Sequence, residues 1–291
     1  MGDVTPLLEC ESIGYLGPAG TFTEEALDLC PHLRFGEKVA YPTVAETIMA
    51  TQAGETDLCF VPIENSIEGS VNATLDTLAF DTELRIQMEL VMPIRHLLLA
   101  KPGTRLEEVR ILVSHPQATA QCREHLQQLV PGATVMAANS TAEAARSVAA
   151  AAGEMAAVGN RLAAKLYGLE VLKAGIEDHE TNMTRFVVLG RDMQEPSGAD
   201  KSSLVLFIHK DQPGSLLQIL QEFAYRYINL TKIESRPTKR SLGDYCFFLD
   251  CEGHVEEEPL VSALKCLNCK LRQVKVLGSY STCEVKEGSD A

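Results

Sequence analysis

The sequence predicts an α/β protein, with a two-lobed unit over residues 1–195 and a smaller βαββαβ, ferredoxin-like unit over 196–291. Three observations predict it. Short apolar runs alternate with helix-opening signals from Ile13 to Leu189, the pattern of strands covered by helices. A polar, Pro- and Gly-bearing segment, Gln194 to Lys201, then interrupts the pattern. Charge changes at the same place: residues 1–200 hold 14 Lys and Arg against 28 Asp and Glu, whereas residues 201–291 hold 12 of each.

Strands are predicted at 13–16, 58–63, 111–114, 134–137, 156–159 and 186–189, each an apolar run of strand length. Parallel sheets are expected from their alternation with helices. Thr21 with Glu24, Thr43 with Glu46 and Ser140 with Glu143 each have the spacing of a capping box that opens a helix. Pro116 suits the first turn of a helix running to 129, and Gly69-Ser70 reads as a helix start. The apolar stretch 84–100, interrupted at Pro93, reads as extended chain passing from one lobe to the other. The return to 186–189 implies a second crossing and a cleft between lobes. Beyond the linker the order is strand 203–209, helix 213–226, strand 229–236, strand 244–251, helix 256–267 and strand 270–279. Pro213-Gly214 opens the first of these helices, and Gly243-Asp244 marks the turn between the middle strands.

The composition, 45% apolar and 23% charged over 291 residues, is that of a packed soluble protein. No apolar run approaches the ~18 residues of a membrane span, and the N-terminus lacks the basic and apolar regions of a secretory signal. Pro6 argues against myristoylation at Gly2. A cytoplasmic location with reduced thiols is therefore expected for the nine cysteines. Cys266 and Cys269 form the close pair, but Cys246, Cys251 and Cys283 sit in apolar runs and read as core, so no metal site is expected. The net charge of -14 argues against nucleic acid as a partner.

Four stretches of the first unit carry candidate chemistry. In TNMTRFVVLG (181–190), strand alternation sends Thr184 and Phe186 to one face and Arg185 to the other. In VPIENSIEGSVN (61–72), Glu64, Asn65 and Ser66 crowd the carboxyl end of a strand, where open α/β sheets bind ligands. In SHPQATAQC (114–122), Ser114 at a strand tip and Gln121 on the following helix can address one ligand, with His115 read as a capping residue. In GYLGPAGTFTEEA (14–26), Thr21 caps a helix whose free N–H groups suit a carboxylate. In the second unit, the turn at Asp211 to Leu217 and the strand end at Ile233 to Pro237 suit a zwitterion. Each also has a plain structural reading as a turn or a solvated strand end.

Together these stretches resemble prephenate dehydratase: GPAGTFTEEA, VPIENSIEG, SHPQATAQC, AAKLYGLEVL (163–172) and NMTRF stand in its order and spacing. PGSLLQIL (213–220) and NLTKIESRP (229–237) resemble the regulatory ACT domain that follows it. The resemblance implies a periplasmic-binding-protein-like catalytic domain that converts prephenate into phenylpyruvate, CO2 and water without metal or cofactor. It implies Thr184, Glu64, Asn65, Ser114 and Gln121 as catalytic residues, with Ser66, Thr21, Arg185 and Phe186 at the substrate. Gly214, Ser215, Leu216, Leu217, Glu234, Ser235, Arg236 and Pro237 are implied as elements that bind phenylalanine, the allosteric effector, in a homodimer or homotetramer. Ser215 stands where the family usually has Ala, which bears on effector affinity. Arogenate as substrate, or ligand binding without catalysis, are the alternatives that sequence leaves open.

Overall fold

The computed structural model describes residues 7–151, 153–209, 212–238 and 244–284; Gly2, Asp211 and Gly243 lie outside them. Lobe 1 begins with β1 (Leu8–Leu16), α1 (Phe22–Asp28), β2 (Leu33–Tyr41), α2 (Val44–Ala53), β3 (Leu58–Asn65), the short β4 (Gly69–Ser70), α3 (Asn72–Phe80) and β5 (Arg85–Pro93). The chain then crosses to lobe 2. That lobe holds β6 (Leu97–Ala100), β7 (Ile111–Ser114), α4 (Pro116–Gln121), α5 (Arg123–Leu129), β8 (Thr134–Ala137), α6 (Thr141–Ala150), β9 (Met155–Gly159), α7 (Arg161–Tyr167) and β10 (Glu170–Ala174). β11 (Met183–Gly190) returns to lobe 1. The third unit follows as β12 (Lys201–Phe207), α8 (Ser215–Ala224), β13 (Leu230–Pro237), β14 (Tyr245–Glu252), α9 (Leu260–Lys270) and β15 (Gln273–Glu284).

The two crossings give the two lobes their separate sheets. Lobe 1 has the order β5-β11-β3-β1-β2, lobe 2 the order β10-β6-β9-β7-β8, and the third unit the ferredoxin-like order β13-β14-β12-β15. The expected parallel sheets are mixed instead: β11 runs antiparallel to both β3 and β5, because the returning strand enters lobe 1 from the opposite end.

Local chemistry explains the helix starts. The hydroxyls of Thr21, Thr43 and Ser140 accept the N–H of Glu24, Glu46 and Glu143 respectively. Two of the partner carboxylates reach one residue beyond the cap, Glu24 to the Gly20 N–H at 2.7 Å and Glu143 to the Asn139 N–H at 2.9 Å. Three expectations need correction. Gly69-Ser70 forms the small strand β4 against Glu64 and Asn65, and α3 starts at Asn72. The helix expected through 129 is broken at Cys122 into α4 and α5. The strands β2 and β10 lack a continuous apolar run and were not expected from sequence.

The third unit is welded to lobe 1. The start of β15 pairs with β12, and its end, Ser281 to Glu284, pairs in parallel with β5. A Cβ on Gly278 would lie 2.2 Å from the Ile86 carbonyl oxygen, so glycine lets the two strands pass this closely. One core cluster joins Ile48, Val61 and Leu78 of lobe 1 to Phe207, Phe248 and Tyr280 of the third unit.

Candidate active site

A cleft of about 410 Å³ lies between the lobes. Lobe 1 contributes Thr21 and Phe22 at the start of α1, Asn65 at the end of β3, and Thr184 and Phe186 on β11. The crossing contributes Ile94 and His96, and lobe 2 contributes His115 and Gln121 of α4 and Asn139 to Thr141 at the start of α6. Among the described residues no Asp, Glu, Lys or Arg lines it. The glycine-rich turn before α1 fits under lobe 2: Gly20 has φ +89° with Tyr167 packed against it, and the Tyr167 hydroxyl donates to the Ala19 carbonyl at 2.8 Å.

The cleft wall is organised by amides. Asn65 and Thr184 are paired in register across β3 and β11. Asn65 Nδ2 donates to Thr184 Oγ1 at 2.9 Å and to Asn182 Oδ1 at 2.8 Å. Asn182 Nδ2 donates to Gln121 Oε1 at 3.0 Å, and Gln121 Nε2 to Glu68 Oε1 at 3.2 Å. His96 Nε2 stands 3.1 Å from Gln121 Oε1, and its ring meets Phe22 edge-on at 5.2 Å. Burial pushes the His96 pKa below its ordinary value, with Gln121 and Glu177 opposing less strongly, so the ring is neutral at pH 7. Phe186 is buried and stacks on Phe60.

The structure thus brings Thr184, Asn65, Gln121, Thr21 and Phe186 to one cleft, and leaves others of the expected set outside it. β3 continues to Asn65, so alternation turns Glu64 to the opposite face. There Glu64 pairs with Arg185 at 2.8 Å and Lys232 at 3.2 Å, which corrects its expected place beside Asn65 in the cleft. Arg185 lies on the same far face, as alternation required, and pairs with Glu89 and Asp250, each at 2.8 Å; it does not line the cleft, which corrects its expected place at the substrate. Burial opposes its charge, but the carboxylates of Asp250 and Glu89 outweigh that and raise its pKa. Ser66 braces the turn, donating to the Thr181 carbonyl and accepting the Met183 N–H, and does not line the cleft. Ser114 is fully buried; its Oγ has no protein partner and it does not line the cleft. His115 is the N-cap of α4, its Nδ1 accepting the Gln117 N–H.

Sequence reasoning missed His96 and Asn182. The available signal for His96 was a polar break, Arg95-His96, between two apolar strands; for Asn182 it was its place in the NMTRF stretch.

The effector elements divide in the same way. Gly214 caps α8 with φ +89°, Ser215 begins the helix, and Leu216 and Leu217 are exposed. On β13, Ser235 and Pro237 are exposed whereas Glu234 and Arg236 face lobe 1. Glu234 accepts from Ser70 at 2.5 Å, and Arg236 pairs with Asp76 at 2.7 Å and bonds to Asn72. Glu234 and Arg236 therefore serve the contact with lobe 1 rather than an open ligand pocket. The cavity beside Ser215, about 220 Å³, is lined by His209, Gln212 and Lys270 and by no residue of β13, so one chain does not join the two elements.

Comparison with known proteins agrees over nearly the whole chain. The prephenate dehydratase family model matches residues 13–194, and the ACT domain model matches 203–266. The prephenate dehydratase of Mycolicibacterium vanbaalenii is 41% identical over 288 residues, covering 94% of this chain and 92% of its own. The crystal structure of prephenate dehydratase in complex with L-Phe from Arthrobacter aurescens has a TM-score of 0.86 at 38% identity, covering 93% of this chain and 90% of that one. A structure described as GqqA, a novel type of quorum quenching acylase, has a TM-score of 0.83 at 31% identity, covering 94% and 98%.

Proposed function

The chain belongs to the prephenate dehydratase family, and on that premise we propose that its cleft converts prephenate into phenylpyruvate, carbon dioxide and water. The bond between the ring and its carboxylate breaks, and the electrons enter the ring. The ring C–O bond then breaks, and the oxygen leaves with a proton as water. No net oxidation occurs and aromatisation drives the step. The protein has to supply a proton, fixed hydrogen bonds and a dry surface.

Thr184 supports this reading best. Its Oγ1 already accepts from Asn65, which leaves the hydroxyl proton for the departing oxygen and stabilises charge developing on Oγ1. A threonine hydroxyl is too weak an acid to ionise alone, so the transfer is concerted with C–O cleavage, and the threonine oxygen takes a proton back from solvent before the next turnover. With no Lys or Arg on the wall among the described residues, the two carboxylates fall to Gln121, to hydroxyls and to N–H groups at the helix starts. Of these helices α6, with ten residues, carries the useful dipole. Phe22, Ile94 and Phe186 enclose the ring in apolar surface, which favours departure of neutral CO2. Among the described residues no carboxylate lines the cleft to meet the ammonium of arogenate, and Glu68 beside it is engaged by Gln121 Nε2, which favours the keto substrate. Acyl transfer is disfavoured because Thr184 bonds to an amide rather than to a histidine that could activate it.

Residues 1–195 form the catalytic domain in this reading and 196–291 the regulatory one, with phenylalanine, the ligand of the Arthrobacter relative, as effector. Exposed Ile233, Ser235 and Pro237 stand on β13, the end strand of its sheet among the described residues, and Leu217 is exposed on α8. Pairing of that edge with a second copy covers it and brings 214–217 of one chain near 235–237 of the other, in a homodimer or homotetramer. None of the described helices is long and apolar enough to cross a membrane, and a cytoplasmic location completes the proposal. Purified protein is to be given prephenate and, separately, arogenate. Rapid phenylpyruvate formation from the first is expected, and none from folded protein overturns the reading.

A further inference from the structure

The hydrogen bonds around Gln121 have a single consistent direction. Asn65 Oδ1 accepts the backbone N–H groups of Ile67 at 2.9 Å and Glu68 at 3.0 Å. Its Nδ2 must therefore be the atom that faces Asn182 and Thr184. That makes Asn182 Oδ1 an acceptor and Asn182 Nδ2 the donor to Gln121 Oε1. Gln121 Nε2, at the other end of the amide, meets the carboxylate of Glu68. An oxygen cannot donate, so the contact between His96 Nε2 and Gln121 Oε1 exists only with a proton on Nε2. Nδ1 is then the bare nitrogen; it is buried and has no protein partner.

His96 is also held from behind. Its backbone N–H donates to Glu177 Oε2 at 2.8 Å, and Phe22 meets the ring edge-on. It stands on the crossing between the lobes, with Phe22 of lobe 1 on one side and Gln121 of lobe 2 on the other.

We propose that His96 is a positioning residue for the dehydration: its Nε2–H, with the Nδ2–H of Asn182, occupies both lone pairs of Gln121 Oε1 and so fixes the amide that orients the substrate carboxylate. The same amide holds Asn182, which holds Asn65, which donates to Thr184. A neutral imidazole thereby sets the direction of hydrogen bonding along the wall without placing a charge beside the substrate. This rests on the dehydratase reading of the cleft.

The test uses reach. The amide nitrogen of asparagine falls near the place of Nδ1, and that of glutamine near the place of Nε2. His96→Asn is expected to lower kcat by about 10- to 100-fold, as misplacement of a binding group does. His96→Gln is expected to restore it to within a fewfold of wild type, with both variants folded by circular dichroism. In a Gln121→Ala background His96→Asn should cost little more, because the two act as one unit. Nitrogen NMR of the wild type at pH 7.5 should show a neutral ring protonated on Nε2. Equal loss in His96→Asn and His96→Gln, wild-type kcat in His96→Asn, an undiminished further loss in the Gln121→Ala background, or a proton on Nδ1 each overturns the proposal. Failure of the dehydratase reading itself is distinct: the wild type then makes no phenylpyruvate at all.

Discussion

Asn65 and Thr184 look into the cleft, whereas Glu64 and Arg185, one residue away on the same two strands, look toward the third unit. The front face is built of amides and hydroxyls. The back face is built of charges: Arg185 among Glu64, Glu89 and Asp250, Lys201 on Glu89 at 2.7 Å, and Lys232 on Glu64. The ligand explains the difference. A dianion brings its own charge, so the front needs fixed donor directions and little more. The back has no ligand, so its charges must neutralise one another, because buried unpaired charge is costly. The pleat of a strand makes both possible within one residue.

Removing a front group should therefore stop chemistry and spare the fold. Thr184→Val keeps shape and loses the hydroxyl. A kcat loss of roughly 10²- to 10⁴-fold is expected, the usual worth of acid assistance, with a melting temperature close to wild type. Near-normal turnover in the folded variant would remove Thr184 from the leaving-group role.

Removing a back group should do the reverse. Arg185→Met takes the cation from Asp250 and leaves Glu89 with Lys201 alone, both carboxylates being buried, and a loss of about 3–5 kcal/mol is expected from breaking a buried pair on one side. Chemical denaturation measures it, and kcat of the remaining folded protein should fall far less than in Thr184→Val. A stable but inactive Arg185→Met would place the guanidinium at the substrate after all.

How much of this division was legible follows from where strands end. The faces of Thr184, Arg185 and Phe186 were legible because alternation carried back from the apolar run 186–189 holds, β11 beginning at Met183; the place of Arg185 at the substrate, implied by the resemblance, was not borne out. The faces of Glu64 and Asn65 were not legible, because the apolar run stops at Ile63 while the strand runs on to Asn65; read as loop, the two carried no alternation. The ferredoxin-like unit was legible from its element order, and the charge step near 200 marked its start. Its attachment was not: the ion pairs across the junction join residues over 60 positions apart, such as Arg185 with Asp250. The edge strands β2 and β10 escaped for another reason, since polar and charged residues interrupt both. His96 needed its partner on α4, a pairing that only the folded crossing supplies.

Acid should separate the two faces in order. Burial lowers the His96 pKa below its model-peptide value near 6.5, so below that pH the unfolded ring takes a proton that the folded ring refuses. Stability therefore declines as pH falls from about 6.5 toward the folded pKa. Glu89 behaves differently: burial raises its pKa, but Arg185 and Lys201 outweigh burial and lower it below the ordinary 4.5. Its contribution is complete above 4.5 and is lost as pH falls through the depressed folded value. Melting temperatures from pH 8 to 3 should show both windows, each with a slope of at most about 1.4 kcal/mol per pH unit for one group. His96→Gln should flatten the upper window and leave the lower one. A lower window unaltered in Arg185→Met would show that the guanidinium does not hold Glu89 down.

The smallest effect tests whether the back face also carries the effector signal. Lys232 on β13 donates to Ser70 at 2.7 Å and pairs with Glu64, and Ser70 and Glu64 are themselves paired across β4 and β3. Asn65, the partner of Thr184, is the next residue along β3. A displacement of β13 on binding phenylalanine would thus reach the front face through one short strand. Lys232→Met removes this link and leaves Arg185 with Glu89 and Asp250 intact. The change in stability should be about 1 kcal/mol or less, as for partly exposed pairs, and kcat without effector should stay within about twofold. The phenylalanine concentration for half-inhibition should rise severalfold, within the ~5- to 150-fold range of typical allosteric coupling. An unchanged inhibition curve would mean that the signal crosses at Arg185 and Asp250 or through the shared core. Lys232 would then be a structural contact, and the charge cluster behind Thr184 the place to cut next.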